Sequence, residues 1–268
     1  MNILVTNDDG IESKGIWELA RAMSRVGQVT IIAPDKERSG VGSCLSFRSD
    51  ISISEAESLI PGVTAYAVGG TPGDCVMLGI RGMPESRFDL VVSGINPRPN
   101  IGTDIHYSGT VMATLEGYYR KIPSIAVSIY AKNRVEIMDY ELAAEVAEKT
   151  AEQIKSGKLK TDAIFNINVP NIPREQIKGI ITTKTANTGY VTPSKNGSNK
   201  VMNYALAMGE LFNPITTEGT DLWAIQAGYI SISLLRFEVD HRDADPAIKD
   251  ILKGMERHFT RNADKPKK

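Results

Sequence analysis

Residues 3–10 read ILVTNDDG, a short apolar run with β-branched side chains that stops at two adjacent aspartates and a glycine. Such a run suits a strand buried on both faces, as in a parallel sheet. Ile16, Leu19, Ala20 and Met23 then follow the i, i+3, i+4, i+7 spacing of an amphipathic helix, with Ser13 as its expected N-cap and Gly27 as its stop. VTIIAP (29–34) is the next strand, which makes the opening a βαβ unit. Thr64–Val68, Asp89–Ser93, Ser124–Ser128 and AIFNINV (163–169) read as further strands. Helices are expected from Thr71-Pro72, over Gly109–Tyr119 and over Met138–Ser156, the last closed by Gly157. The expected fold is α/β, a doubly wound, mostly parallel Rossmann-like sheet.

After Pro173 the texture changes. GIITTKTANTGYV (179–191) and NKVMNYALAMGEL (199–211) read as two arms of a β-hairpin around a polar turn at Ser194–Lys200. YISISLLRF (229–237) is a last strand and DPAIKDILKGMERHF (245–259) a terminal amphipathic helix. The expected organisation is a single domain over 1–268. Its catalytic core spans 1–180, and the hairpin, final strand and tail over 181–268 serve oligomerisation. A second small subdomain is the alternative for that region.

With 41% hydrophobic and 24% charged residues and a net charge of −1, the chain carries no global field to draw a nucleic-acid duplex or an anionic membrane. No apolar run approaches the ~20 residues of a membrane span, and no signal-peptide pattern opens the chain. Cys44 and Cys75 cannot support a disulfide framework, which fits a reducing, cytoplasmic setting.

In an open parallel sheet, ligands bind beyond the carboxyl ends of the strands. Three polar loops belong there: NDDG (7–10), PDKERSG (34–40) and SGINPRPNIG (93–102). Side by side, Asp8 and Asp9 repel unless a cation offsets them, and hard divalent cations favour oxygen ligands. A plain turn at Asp9-Gly10 with Asp8 as a capping acceptor is the alternative. The loop around Ser39 has the glycines and small residues that let backbone N–H groups face an anion, or it is simply a flexible loop. Asn96 and Asn100 bring amide oxygens suited to a hard cation. Ser108-Gly109-Thr110 opens a helix that suits a phosphate, unless Ser108 only caps it. His106 lies in the same loop, where it would protonate a leaving alkoxide or is simply a solvated loop histidine. Together these groups point to metal-assisted phosphoryl chemistry.

ILVTNDDG, PDKERSGVG, GTPGDCV, VVSGIN, YSGTV with EG downstream, NINVP and GYISIS occur in that order, and the set closely resembles the SurE family, metal-dependent nucleotide phosphatases. The resemblance runs from Met1 to about Leu235. It implies one divalent cation per subunit, Mg²⁺ or Mn²⁺, held by Asp8, Asp9, Ser39 and Asn96. It also implies phosphate contacts from Asn100, Ser108, Gly109 and Thr110, with nucleoside monophosphates as substrates. Hydrolysis by a metal-positioned water follows, Asp9 taking the water's proton and Asp8 acting mainly as a ligand. The family's dimers or tetramers form through a C-terminal hairpin and an exchanged tail. Arg98 stands where the family usually has glycine, and is expected to face solvent. Met112 replaces a small residue, and MNYALAMGE lacks a common tryptophan. A phosphoacceptor signalling domain lacks its third aspartate here. A dinucleotide-binding module lacks G-x-G-x-x-G after the first strand.

Overall fold

The computed structural model describes residues 1–83, 87–131, 137–159, 163–189, 191–196, 203–208, 217–237 and 255. The chain runs β1 (Asn2–Thr6), α1 (Lys14–Met23), β2 (Gln28–Pro34), β3 (Ile53–Glu55), β4 (Thr64–Val68), α2 (Pro72–Arg81), β5 (Leu90–Asn96), α3 (Gly109–Ala113), α4 (Leu115–Tyr118), β6 (Ser124–Tyr130), α5 (Glu141–Lys155), β7 (Ile164–Pro170), β8 (Ile180–Thr182), β9 (Val191–Asn196), β10 (Asn203–Met208), α6 (Asp221–Ala227) and β11 (Ile230–Leu235). Met1–Leu235 form one compact unit and Arg236–Lys268 another.

Nine strands make one sheet in the order β3-β4-β2-β1-β5-β6-β7-β11-β8. From β4 to β7 every pairing is parallel. The order grows from β1 toward β2 and β4, then reverses through β5, β6 and β7. The reversal lies between β1 and β5, where open α/β sheets open a crevice for ligands. One face is closed by α1 and α5, which share a core with Ile3, Val5, Ile31, Val92, Ile125 and Phe165. Cys75, Val76 and Ala113, from α2 and α3, pack on Leu4, Ile32 and Val91 of the other face. The buried strands are apolar on both sides, as a doubly covered parallel sheet requires.

Several elements depart from expectation. Residues 180–182 join the main sheet as β8, parallel to β11, so the hairpin begins only at Val191. Ile180 finds a ladder partner in Ile230 there, so its backbone is paired within the main sheet. The arms pair from Asn203↔Asn196 to Met208↔Val191, which moves Ser194, Lys195 and Asn196 from the turn into a strand. β11 is antiparallel to β7. The helix expected over Gly109–Tyr119 breaks at Thr114, whose N–H bonds Val111 O at 3.1 Å and whose hydroxyl donates to the same carbonyl at 2.5 Å. Ser13 precedes α1, but its hydroxyl accepts from Asn7 Nδ2 (2.7 Å) instead of capping the helix. α6, capped by Thr220, was not anticipated. The helix expected over 245–259 lies, except for Met255, outside the described residues.

α2 opens with a capping box. Thr71 Oγ1 accepts the Asp74 N–H and Asp74 Oδ2 accepts the Thr71 N–H. Asp74 Oδ1 also accepts the Ser46 N–H at 3.0 Å, and Thr71 Oγ1 donates to Cys44 O at 2.6 Å, so the helix start anchors the loop after β2. Burial works against ionised Asp74, but the hydrogen bonds from Thr71 and Ser46 outweigh it and hold the carboxyl below its usual range. A depressed carboxylate stabilises the fold above its unfolded value near 4, and that contribution disappears as pH falls through the folded value. Asp74→Asn is therefore expected to lose about 1–2 kcal/mol at pH 7. Urea unfolding should show the gap to the unsubstituted protein narrowing below about pH 4. A gap that stays constant from pH 7 to 3 would contradict this.

Candidate functional site

The turn after β1 is organised by Asn7, which is fully buried. Its Oδ1 accepts the Gly10 N–H (3.1 Å), and its Nδ2 donates to Gly10 O (2.9 Å) and Ser13 Oγ. This side-chain turn fixes the two intervening aspartates at the crevice between β1 and β5. Asp8 is 4% exposed. Thr110 Oγ1 donates to Asp8 Oδ1, and the Arg38 N–H donates to Asp8 O at 2.7 Å. Gly109 lies against the same carboxylate: a Cβ there would sit 2.7 Å from Asp8 Cβ, so only glycine allows this approach.

The two carboxyls are not equivalent. Burial pushes Asp8 up, with the Thr110 hydroxyl and backbone N–H groups opposing and Glu37 adding to the rise. Burial, then the charges of Asp8 and Glu37, push Asp9 up to about 8, and Arg98 acts in the opposite sense. Asp9 Oδ2 is buried with no hydrogen-bond partner. Buried acceptors are normally satisfied, so an orphaned carboxylate oxygen beside a second carboxylate fits a cation ligand.

The other predicted residues arrive from two loops. Between Ser93 and Asn96 the pairing of β5 with β6 slips, and Asn96 lies opposite Ser128. A bulge of this kind re-aims the following side chain. Asn96 Nδ2 donates to Arg98 O at 2.6 Å, which commits the amide nitrogen and leaves Oδ1 for a cation. Ser39 is exposed and its hydroxyl donates to Glu37 Oε1 at 2.8 Å. Its loop is tied to the third loop by the Gly42 N–H on Tyr107 O at 3.0 Å. Ser108 Oγ accepts the Val111 N–H at 3.0 Å, so Ser108 does cap α3 and still keeps its own proton to donate. His106 is exposed, as is Arg98.

Asn100 stands slightly apart, its side chain turned to Ser128 Oγ (2.8 Å) and its backbone bonded to Asn166 and Asn168. Two residues later, the Gly102 N–H meets Asp221 Oδ2 at 2.8 Å. Asp221 is fully buried at the start of α6 and also accepts from the Ala186 and Leu222 N–H groups. Burial pushes its carboxyl up, against those backbone bonds. Asn7, Glu37, Asn166, Asn168 and Asp221 all went unnoticed in the sequence. The alternating asparagines of NINVP were the one available signal, because asparagine is uncommon in buried strands. Among the described residues no three His, Cys, Asp or Glu side chains form a metal-holding group, so a cation here would rest on two carboxylates, a hydroxyl and an amide.

Comparison with known proteins places these residues in context. The family described as Survival protein SurE matches residues 3–192. A protein named 5'-nucleotidase SurE from Dehalococcoides mccartyi (strain CBDB1) is 40% identical over 235 residues, covering 88% of each chain. Its namesake from Heliobacterium modesticaldum (strain ATCC 51547 / Ice1) is 36% identical over 269 residues, covering 100% of this chain and 97% of that protein. The crystal structure of the SurE protein from Aquifex aeolicus superposes with a TM-score of 0.79 at 35% identity, covering 94% of this chain and 99% of that one.

Proposed function

The chain belongs to the SurE family, and from that membership we propose that it is a metal-dependent 5'-nucleotidase, hydrolysing nucleoside monophosphates to nucleoside and phosphate. The observation that carries the reading is the pairing of buried Asp8 with half-buried Asp9 at the β1/β5 crevice, the buried Asp9 Oδ2 lacking a partner. Asp8, Asp9, Ser39 and Asn96 would hold one Mg²⁺ or Mn²⁺ per subunit. When bound, such a cation offsets charge on the phosphoryl oxygens and lowers the pKa of water. Thr110 spends its hydroxyl proton on Asp8 and so keeps that carboxylate oriented. Ser108 Oγ–H, the Gly109 backbone and the Asn100 amide would meet the phosphate. Asp9 would take the proton of the attacking water, and no side chain is assigned as the acid for the leaving alkoxide.

We further assign the β9–β10 hairpin to a homodimer or homotetramer contact, together with the tail. The two strands pair only with each other among the described residues, and an isolated hairpin is marginal in water. A cytoplasmic location belongs to the same reading and agrees with free thiols at Cys44 and Cys75. Among the described residues no helix is long and apolar enough to cross a membrane.

The test is phosphate release from a panel of 5'- and 3'-nucleoside monophosphates after chelation and add-back of Mg²⁺ or Mn²⁺. Release that returns with the metal and favours 5'-monophosphates is expected. Undiminished release in chelator would sink the reading. Light scattering of the chain with and without residues 191–208 tests the oligomer assignment, which predicts a smaller species on deletion.

A further inference from the structure

Asn100 is a loop residue held as though it lay in a strand. Asn168 Oδ1 accepts the Asn100 N–H at 2.8 Å, and Asn168 Nδ2 donates to Asn100 O at 3.0 Å. One side-chain amide thereby supplies both bonds that a neighbouring strand would. Asn166 Nδ2 reaches the same carbonyl at 2.8 Å. The two asparagines lie two residues apart on β7, so they leave the same face of a strand whose every residue is buried. Asn100 Nδ2 donates to Ser128 Oγ at 2.8 Å, which orients its side chain as well.

Sheet register connects this clamp to the cation side of the crevice. Asn96 lies opposite Ser128, and Ser128 opposite Asn168. One row across β5, β6 and β7 therefore starts at the amide assigned to the cation and ends at the amide that grips Asn100. Ser128, Asn166 and Asn168 are each fully buried. Burying polar groups is unfavourable unless they are paired, and apolar residues would fill the same space at lower cost. Asn166 Oδ1 goes without a partner. A loop anchor for stability alone has no need of that arrangement.

We propose that Asn168, with Asn166 and Ser128, positions Asn100 for the substrate phosphate and sets phosphate affinity independently of the cation. This rests on the assignment of Asn100 to the phosphate. The three are positioning residues, acting through Asn100 and not on the substrate.

The experiment uses the full chain loaded with Mn²⁺ and compares Ser128→Ala, Asn168→Asp and Asn100→Ala with the unsubstituted protein. Ser128→Ala removes only the acceptor that orients the Asn100 amide. Asn168→Asp keeps the shape but loses the donor to Asn100 O. Measured are KM and kcat for a nucleoside monophosphate, the inhibition constant of inorganic phosphate, Mn²⁺ affinity by calorimetry, and Tm. Ser128→Ala is expected to raise KM and the phosphate inhibition constant together by about tenfold. Its Mn²⁺ affinity should stay within about twofold and its kcat should change less than its KM. Asn100→Ala should raise KM at least as much. Asn168→Asp should follow Ser128→Ala if it folds, and Ser128→Ala decides the matter if it does not. Unchanged KM and phosphate inhibition in folded Ser128→Ala would overturn the proposal, and so would a matching loss of Mn²⁺ affinity. Failure of the underlying reading looks different: the unsubstituted protein itself would show no Mn²⁺-dependent release.

Discussion

Asp9→Asn is expected to lower metal-dependent phosphate release by about a thousandfold while making the metal-free protein more stable. The two effects share one cause. In the folded protein Asp9 is pushed up to about 8, chiefly by burial and then by Asp8 and Glu37, and its Oδ2 has no partner. A like-charged pair in a desolvated crevice opposes folding, so an amide at position 9 relieves it. Tm without metal should rise by about 2–8 °C if the relief amounts to 1–2 kcal/mol. The same amide removes one of the two carboxylates proposed to hold the cation, and the stabilisation that saturating Mn²⁺ would confer, about 3 kcal/mol at a hundredfold excess over its dissociation constant, should largely vanish. Thermal melts with and without Mn²⁺, beside a phosphate-release assay, read all three quantities. Simple misfolding would move activity and metal-free Tm down together, so the opposite signs identify a ligand. Full activity in Asp9→Asn would remove the cation site from these residues.

What was legible in the sequence follows the period of the signal. Parallel strands buried on both faces appear as uninterrupted apolar runs, which is why ILVT, VTIIAP and SIAVS fall within observed strands to within two residues at their ends. Polar residues just past those runs could then be assigned to one sheet edge, and the crevice at β1/β5 gathers Asp8, Gly109 and Thr110 as expected. The misses are contacts between residues distant in sequence. Residues 180–182 carry extended signals that suit a hairpin arm or a sheet edge equally, and only the presence of β11 decides between them. Asn7 looks like a turn residue of its own loop, and nothing local reveals that it shapes the backbone carrying both aspartates. The bulge that re-aims Asn96 depends on where β6 lies. Arg98 is exposed as expected, yet its charge still acts on Asp9, which a reading of local exposure alone could not weigh.

Gly102→Ala is the substitution away from the cation site expected to cost the most stability. Gly102 has φ +51°, and a Cβ there would overlap Thr188 O. A left-handed conformation costs an alanine roughly 1–2 kcal/mol, and the Thr188 carbonyl must also move. That carbonyl accepts the Thr103 N–H at 2.9 Å, while the Gly102 N–H is held by Asp221, so neither side can yield without breaking a buried hydrogen bond. The sum is about 3 kcal/mol, or a fall in Tm of about 6–12 °C for a chain of this size. Gly102 is also two residues past Asn100, so the displaced loop should carry the phosphate contact proposed for Asn100 with it. KM for a nucleoside monophosphate is therefore expected to rise while Mn²⁺ affinity, assigned above to Asp8 and Asp9 across the crevice, holds. Asp221→Asn offers the comparison: it keeps the backbone of Gly102 unstrained but turns an amide N–H toward N–H donors at Gly102 or at Ala186 and Leu222. It should raise KM in the same sense with a smaller loss of Tm, about 2 kcal/mol in stability. If Gly102→Ala lowers Tm and leaves KM untouched, the loop after β5 is anchored for stability alone, and Asn100 takes its position from β7 without help from α6.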